Sequence, residues 1–319
     1  MNDILILTLL NIPQVSRNII CKLIKKNNKE DIKYENIVNL IQQAKYINSR
    51  VNIPTEDELK KYREQAENII KISKANGIEN ITILDEDFPE RLKNIDDSPV
   101  ILYYKGNKEC ILDNKSIAII GTRTPTRCGE EIAEKLGGIF GSQGFVVTSG
   151  LAKGCDEFGH KGCVSIGGRS IAVLPGGLDR VYPASNKTLA NLILDNGGCL
   201  VSEYPIGKKP FKSSFVERDR LQSALSQAVI VVETDVVGGT MHTVGFTLQQ
   251  NRILVCYNHP QEYLELKQTK GNQKIIKKKK AIGIYSKNDI ERLKKMIEEK
   301  IKYTKNEKLQ VIEIQQKLF

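Results

Sequence analysis

Six short runs of β-branched and other apolar residues recur between positions 116 and 257: SIAIIG (116–121), FVVTSG (145–150), SIAVL (170–174), CLVSE (199–203), AVIVVE (228–233) and RILVCY (252–257). Continuous apolar runs of this length fit strands covered on both faces, because a strand with one wet face alternates instead. Amphipathic stretches near 129–142, 155–166, 185–196, 214–226 and 239–250 separate them and read as helices. Repeated strand–helix–strand units require parallel strands joined by crossovers, with helices layered on both faces of the sheet. VILYYKG (100–106) is expected to add an edge strand. The fold class is therefore α/β, with an open, mostly parallel sheet.

This order of elements predicts a Rossmann-like domain over 81–286. Upstream, residues 1–80 read as a small helical domain, docked on something larger or acting as a separate interaction module. Ser16 is placed to cap a helix carrying Ile19, Ile20, Leu23 and Ile24, and a second runs through Ile37, Leu40, Ile41 and Ala44. Thr55 and Glu58 make a capping box for a third, which Gly77 ends. Downstream, 287–319 reads as a helical tail with apolar positions Ile290, Leu293, Met296, Ile297 and Ile301. No apolar run reaches the roughly 18 residues of a membrane span. The opening MNDILILTLLNIPQ lacks the basic segment and cleavage site of a signal peptide. Seven scattered cysteines form no CxxC pair, and three histidines give no zinc pattern. A reduced cytoplasmic protein without structural metal is expected.

In such sheets ligands bind outside the carboxyl ends of the strands, where connections switch sides. The loops at those ends are GTRTPT (121–126), SGLAKGCD (149–156), PGGLDRVYP (175–183) and ETDVVGGTMHT (233–243). Glycine lets backbone approach an anion closely, and free N–H groups at helix starts donate to phosphate oxygens. Gly121, Thr122, Arg123, Ser149, Gly150, Lys153, Gly154, Gly238, Gly239 and Thr240 are thus expected to converge on a phosphate-bearing ligand. Nucleotide fingerprints are absent: there is no GxGxxG and no P-loop, and the second strand ends in Thr148 and Ser149 rather than an acid. Ser149 and Ser202 lack the glycines of a nucleophile elbow. His160 follows Cys155 by five helical positions, which turns the two side chains apart, so it is expected to pack and hydrogen bond. Asp156 is placed to cap the helix it precedes, and His242 either touches a ligand or merely sits in a first helical turn. No catalytic residue, metal ligand or cofactor is expected. The net charge of +10 is concentrated: residues 265–308 hold fifteen Lys/Arg against six Asp/Glu. Such a field suits a polyanion or an acidic membrane surface, and it equally describes a lysine-rich solvated face.

The ordered series SIAIIGTRTPTRCG, FVVTSGLAKGCDEFGHKG, GGRSIAVLPGGLDRVYPASN, GGCLVSEYPIG, SFVERDRLQSALSQAVIVVET and GGTMHTV resembles the DprA/Smf family of bacterial DNA-processing proteins. FPERLKNIDDSPVILYYKGN (88–107) and KGNQKIIKKKKAIGIY (270–285) extend the similarity over about 80–290, with a weaker echo in NIPQVSRNIICKLI. The resemblance implies an extended Rossmann fold that binds single-stranded DNA as a homodimer, shields incoming strands and helps load RecA during natural transformation. By position it assigns Gly121, Thr122 and Arg123 to a Gly-Ser-Arg motif, with threonine replacing serine. It assigns Gly150, Lys153 and Gly154 to the second loop, lysine standing where arginine is common, and Arg218 and Arg220 to a basic motif before the fifth strand. Asp219 departs from the asparagine usual between them, and Met241 and His242 also depart from the pattern. Arg123, Lys153, Arg218 and Arg220 would line a cationic groove, with Tyr182 or Phe211 offering stacking surfaces. Alternative readings are a small-nucleotide sensor, a LOG-like phosphoribohydrolase, or a DprA-like protein recruited to foreign-DNA defence.

Overall fold

The computed structural model of the chain describes residues 2–318, with side chains at all of these except 29 and 304–318. Four helices come first: α1 (Asn2–Asn11), α2 (Arg17–Lys26), α3 (Ile37–Ile47) and α4 (Glu56–Ala75). The capping box that starts α4 forms as expected. Thr55 Oγ1 accepts from the Glu58 amide at 3.3 Å, and Glu58 Oε2 accepts from the Thr55 amide at 2.8 Å. Gly77, at φ +68, turns the chain out of it. Ser16 stands at the N-cap of α2 in extended backbone but makes no side-chain cap bond, so that helix rests on its buried Ile19, Ile20 and Leu23.

The sheet follows, interleaved with helices: β1 (Glu79–Thr82), α5 (Glu90–Lys93), β2 (Ile101–Gly106), α6 (Glu109–Leu112), β3 (Ser116–Ile120), α7 (Arg127–Ser142), β4 (Val146–Ser149), α8 (Cys155–Val164), β5 (Ser170–Val173), α9 (Lys187–Asp195), β6 (Cys199–Ser202), α10 (Lys212–Ala224), β7 (Ala228–Val231), α11 (Thr240–Gln249), β8 (Ile253–Tyr257), α12 (Lys267–Lys277), β9 (Ile282–Ile284) and α13 (Lys287–Leu318). Nine strands lie in the order β1-β2-β6-β5-β4-β3-β7-β8-β9. Every neighbouring pair from β6 to β9 is parallel, whereas β2 pairs antiparallel with both β1 and β6. All six expected core strands are present, and β3 to β7 are buried along their whole length, as continuous apolar runs require. The expected edge strand at 100–106 is second from the edge. Its outer side is covered by β1, whose sequence ENIT is too short and polar to announce a strand.

The amino-terminal helices share a core with the sheet. One apolar cluster joins Leu5, Leu9, Ile20, Leu40 and Ile70 to Ile101, Tyr103, Leu174 and Leu200. α1 packs on α4 and β1 and buries Leu5 through Leu9 consecutively, so it carries no amphipathic stripe to read. Truncating Leu9, which is 1% exposed, is expected to cost about 2–5 kcal/mol. Tyr46, 86% exposed, is expected to tolerate alanine within about 0.5 kcal/mol. Denaturant unfolding of the two variants checks this, and equal losses would contradict a shared core.

Candidate functional site

The strand order reverses at β3. From β3 the chain moves through β4, β5 and β6 on one side, then returns along α10 to β7 on the other. The loops leaving β3 and β7 therefore diverge and open a crevice beyond their carboxyl ends. A cavity of about 440 Å³ lies there, between Gly121, Thr122 and Arg123 of the first loop, Gly238, Gly239 and Thr240 before α11, and Phe215, Asp219 and Gln222 of α10. These three residues of α10 follow one another at i, i+4 and i+7, a single helical face.

The floor is the buried part. Arg218, 5% exposed, lies with its guanidinium against Gly150, where a Cβ would fall 1.2 Å from Nη1. Any side chain there would displace the guanidinium. Nη1 donates to the Val173 carbonyl at 3.2 Å and lies 4.0 Å from Asp156 Oδ2, while Nε is 3.4 Å from Asp219 Oδ1. Asp156 does not cap α8. It accepts from the Gly150 amide at 3.0 Å and thereby braces the loop that seats the arginine. Two carboxylates thus face one guanidinium in low dielectric. Burial raises both above the ordinary range, Asp219 to about 6, even though Arg218 pulls the other way. Gln222 Nε2 donates to Asp219 Oδ1 at 2.8 Å. His160, behind this layer, bonds through Nδ1 to Ser170 Oγ at 2.6 Å. Burial, with Arg218 nearby, drives its pKa down to about 3 and keeps it neutral.

The rim is exposed and cationic. Arg123 extends over the Phe215 ring at 5.6 Å, and Phe215 meets Tyr182 edge-on at 5.3 Å. Lys153 is exposed on the neighbouring loop. Gly154, at φ +81, lets that loop press against the first, since a Cβ there would fall 2.5 Å from the Thr122 carbonyl. Phe211, 40% exposed, stands farther along, edge-on to Tyr204 and under Lys208.

Helix N-termini at this end differ sharply. That of α7 is filled by the chain itself: the buried Glu233 carboxylate accepts from the Thr126 amide at 2.8 Å and from Thr126 Oγ1 at 2.6 Å. Gly129 makes room for it, because a Cβ there would fall 2.4 Å from Glu233 Cδ. The start of α8 carries Asp156 and Glu157. The start of α11 has no side-chain cap, and its Gly238 and Gly239 have open space around them. An anion approaching these turns therefore meets open glycines at α11, where the Met241 and His242 amides already donate to the Gly238 and Gly239 carbonyls, and a resident carboxylate at α7.

The expected residues divide accordingly. Gly121, Thr122, Arg123, Gly238, Gly239 and Thr240 line the cleft, Arg218 lies beneath it and Lys153 beside it. Ser149 is corrected to a buried strand-pinning residue, donating through Oγ to the Ile119 carbonyl at 2.6 Å. Gly150 and Gly154 serve close approach. Arg220 is not part of the cleft. It is 2% exposed and grips Glu203 through Nη1 and Nη2, each at 2.6 Å, with Nε donating to the Asp97 carbonyl. Two residues downstream of Arg218, it points to the other side of α10. Phe215 and Gln222 escaped sequence reasoning, although their helical spacing with Asp219 is visible once α10 is placed.

Fold and crevice define an extended Rossmann-like protein with an open cleft at the strand switch point. Residues 79–294 match the family model of DNA recombination-mediator protein A, and the chain belongs to that family. It is 33% identical over 196 residues to the DNA processing protein DprA of Bacillus subtilis, covering 61% of this chain and 66% of that one. It is 37% identical over 171 residues to Protein Smf of Synechocystis, covering 53% and 43%. The chain thus spans less than two thirds of the length of these relatives. The X-ray structure of DprA from Streptococcus pneumoniae superposes with a TM-score of 0.73 at 25% identity, over 91% of this chain and 96% of that one. The structure of Helicobacter pylori DprA, described for its single-stranded DNA binding mode, gives a TM-score of 0.61 at 28% identity, over 68% and 96%.

Two outcomes follow from the buried charges. Arg220→Ala leaves the buried Glu203 with only the more distant Arg17, whose Nη1 lies 4.0 Å from Oε2, and is expected to cost up to about 3–5 kcal/mol in unfolding free energy. An Arg220→Ala protein of unchanged stability would contradict this placement. Asp219 binds a proton more tightly folded than unfolded, so below pH 4 the group adds nothing, and stability is lost as pH rises toward about 6. Its carboxyl faces Arg218, Asp156, His242 and Arg123. The Tm advantage of Asp219→Asn over the parent is expected to grow between pH 4 and pH 6 and then level off; a gap that shrinks over this range would contradict the burial argument.

Proposed function

We propose that the protein binds single-stranded DNA in the switch-point cleft, with phosphates held at the rim and bases turned toward the floor. The observation that carries this reading is the separation of charge: exposed Arg123 and Lys153 and the uncapped start of α11 stand above a floor holding Asp156 and Asp219 with only Arg218 between them. A phosphate pushed to the floor would meet carboxylates. At the rim it meets cations and amides. Bases entering past Arg123 would meet the Phe215 ring, which lines the cleft with the exposed Tyr182 edge-on to it, and stacking is worth about 1–3 kcal/mol per base. Kinship with the family supports the same ligand, and we extend the reading to a cytoplasmic homodimer that shields strands and passes them to RecA.

Hydrolysis of a small nucleotide has less support. The phosphoribohydrolases place a carboxylate just after the glycine–threonine turn, where this chain has Met241, His242 and Thr243. Glu233, before that turn, is buried against Thr126.

Fluorescence anisotropy across a salt series tests the binding reading. Oligo-dT is expected to bind in preference to duplex of equal length. With about two phosphates neutralised in the cleft, Arg123→Ala combined with Lys153→Ala is expected to flatten the log–log salt slope by about 1.4 and to weaken binding at least about tenfold. Equal affinity for single strand and duplex, or an unchanged slope in the double variant, would sink the proposal.

A further inference from the structure

Helix α12 carries lysines at positions 267, 270, 274 and 277, and Lys278 follows at its end. At 100° per residue these five fall within about 100° of arc, in a row about 16 Å long. All five are exposed, whereas Thr269, Asn272 and Ile275 are buried against the sheet. Lys279 and Lys280 extend the charge past the helix end and are also exposed. Among the described residues only Lys267 has a carboxylate partner, Asp235 at 3.5 Å. Lys270, Lys274, Lys277 and Lys278 line a groove of about 470 Å³, with Glu265 at one end.

This row is joined rigidly to the cleft. Asn272 Oδ1 accepts from the Thr234 amide at 2.9 Å, and its Nδ2 donates to the carbonyls of Val231, Val232 and Tyr257. Gly271 lies so close to the same loop that a Cβ would fall 2.4 Å from the Asp235 carbonyl. Thr234 and Asp235 themselves line the cleft. The buried face of α12 therefore fixes the loop that leads to Gly238 and Gly239, while its opposite face presents the lysines.

We infer that the lysine face of α12 is a second nucleic-acid contact surface, which takes up the backbone of a strand running out of the cleft. Lysines without partners, spaced along a groove that adjoins the cleft loop, act as point charges for successive phosphates without reading sequence. An anionic membrane is the weaker fit, because interfacial helices pair a cationic face with a large apolar one, and of this helix's apolar residues Ile275 is buried. The choice of partner rests on the single-strand reading of the cleft, and the two are separable by strand length.

The experiment compares oligo-dT of about six and about thirty nucleotides in a salt series. It uses the full chain, a variant with Lys270, Lys274, Lys277 and Lys278 all changed to Gln, and one with the same four changed to Arg. The glutamine variant is expected to bind the short strand as the parent does, and its salt slope on the long strand is expected to fall by up to about 3; the arginine variant is expected to keep the parental slope. A parental long-strand slope in the glutamine variant overturns the proposal, as does a loss confined to phosphatidylserine vesicles. Failure of the cleft reading looks different: Arg123→Ala with Lys153→Ala would leave short-strand binding intact, and the lysine face would still be judged by the long-strand slope alone.

Discussion

The start of the helix that follows the first core strand is occupied by the protein's own carboxylate. In nucleotide-binding α/β sheets that helix N-terminus receives a phosphate, because its free amides and dipole favour an anion. Here Glu233 reaches across from the end of β7 and takes both Thr126 donors, and Gly129 is the residue small enough to let it in. The Glu233 carbonyl also accepts from the Thr122 amide at 2.8 Å, so the turn after β3 is tied down twice. An incoming anion is left with the glycines ahead of α11 and the cations of the rim.

α10 connects this rim to the rest of the molecule. One of its faces supplies Phe215, Arg218, Asp219 and Gln222 to the cleft. Another supplies Glu217 and Arg220 to an ionic cluster with Asp97, Glu203 and Arg17 of α2. Arg17 holds Asp97 through Nε and Nη2 and Glu217 through Nη1 at 2.9 Å. The amino-terminal helices and the cleft are therefore positioned by the same thirteen-residue helix. The network is buried only at Arg220 and Glu203, while Arg17, Asp97 and Glu217 stay half-buried, so removal of Arg220 is the change that leaves a charge poorly matched in low dielectric.

Sequence reading succeeded where one physical requirement dominates a segment. Strands buried on both faces must be apolar throughout, and β3 to β8 announced themselves by that. The capping box of α4 is local chemistry and formed as written. Failures came where tertiary burial erased the pattern. α1 is covered all round and shows no stripe, and β1 has four mostly polar residues that only its pairing with β2 makes a strand. In the candidate site, residue type picked out loops that the fold brings to one crevice, without revealing which groups were already committed. Ser149 and Arg220 look like ligands for an anion until their partners, the Ile119 carbonyl and Glu203, are seen. Asp219, in contrast, was visible as an oddity in sequence, and the structure gives it a physical place on an acidic floor.

Amide hydrogen exchange of the full chain with and without oligo-dT tests the central claim most directly. Slowed exchange in the segments 121–126 and 236–242 is expected on binding, since those turns line the proposed binding cleft. Binding with no slowing in either segment, or with slowing confined to 1–80, would contradict a grip at the strand switch point.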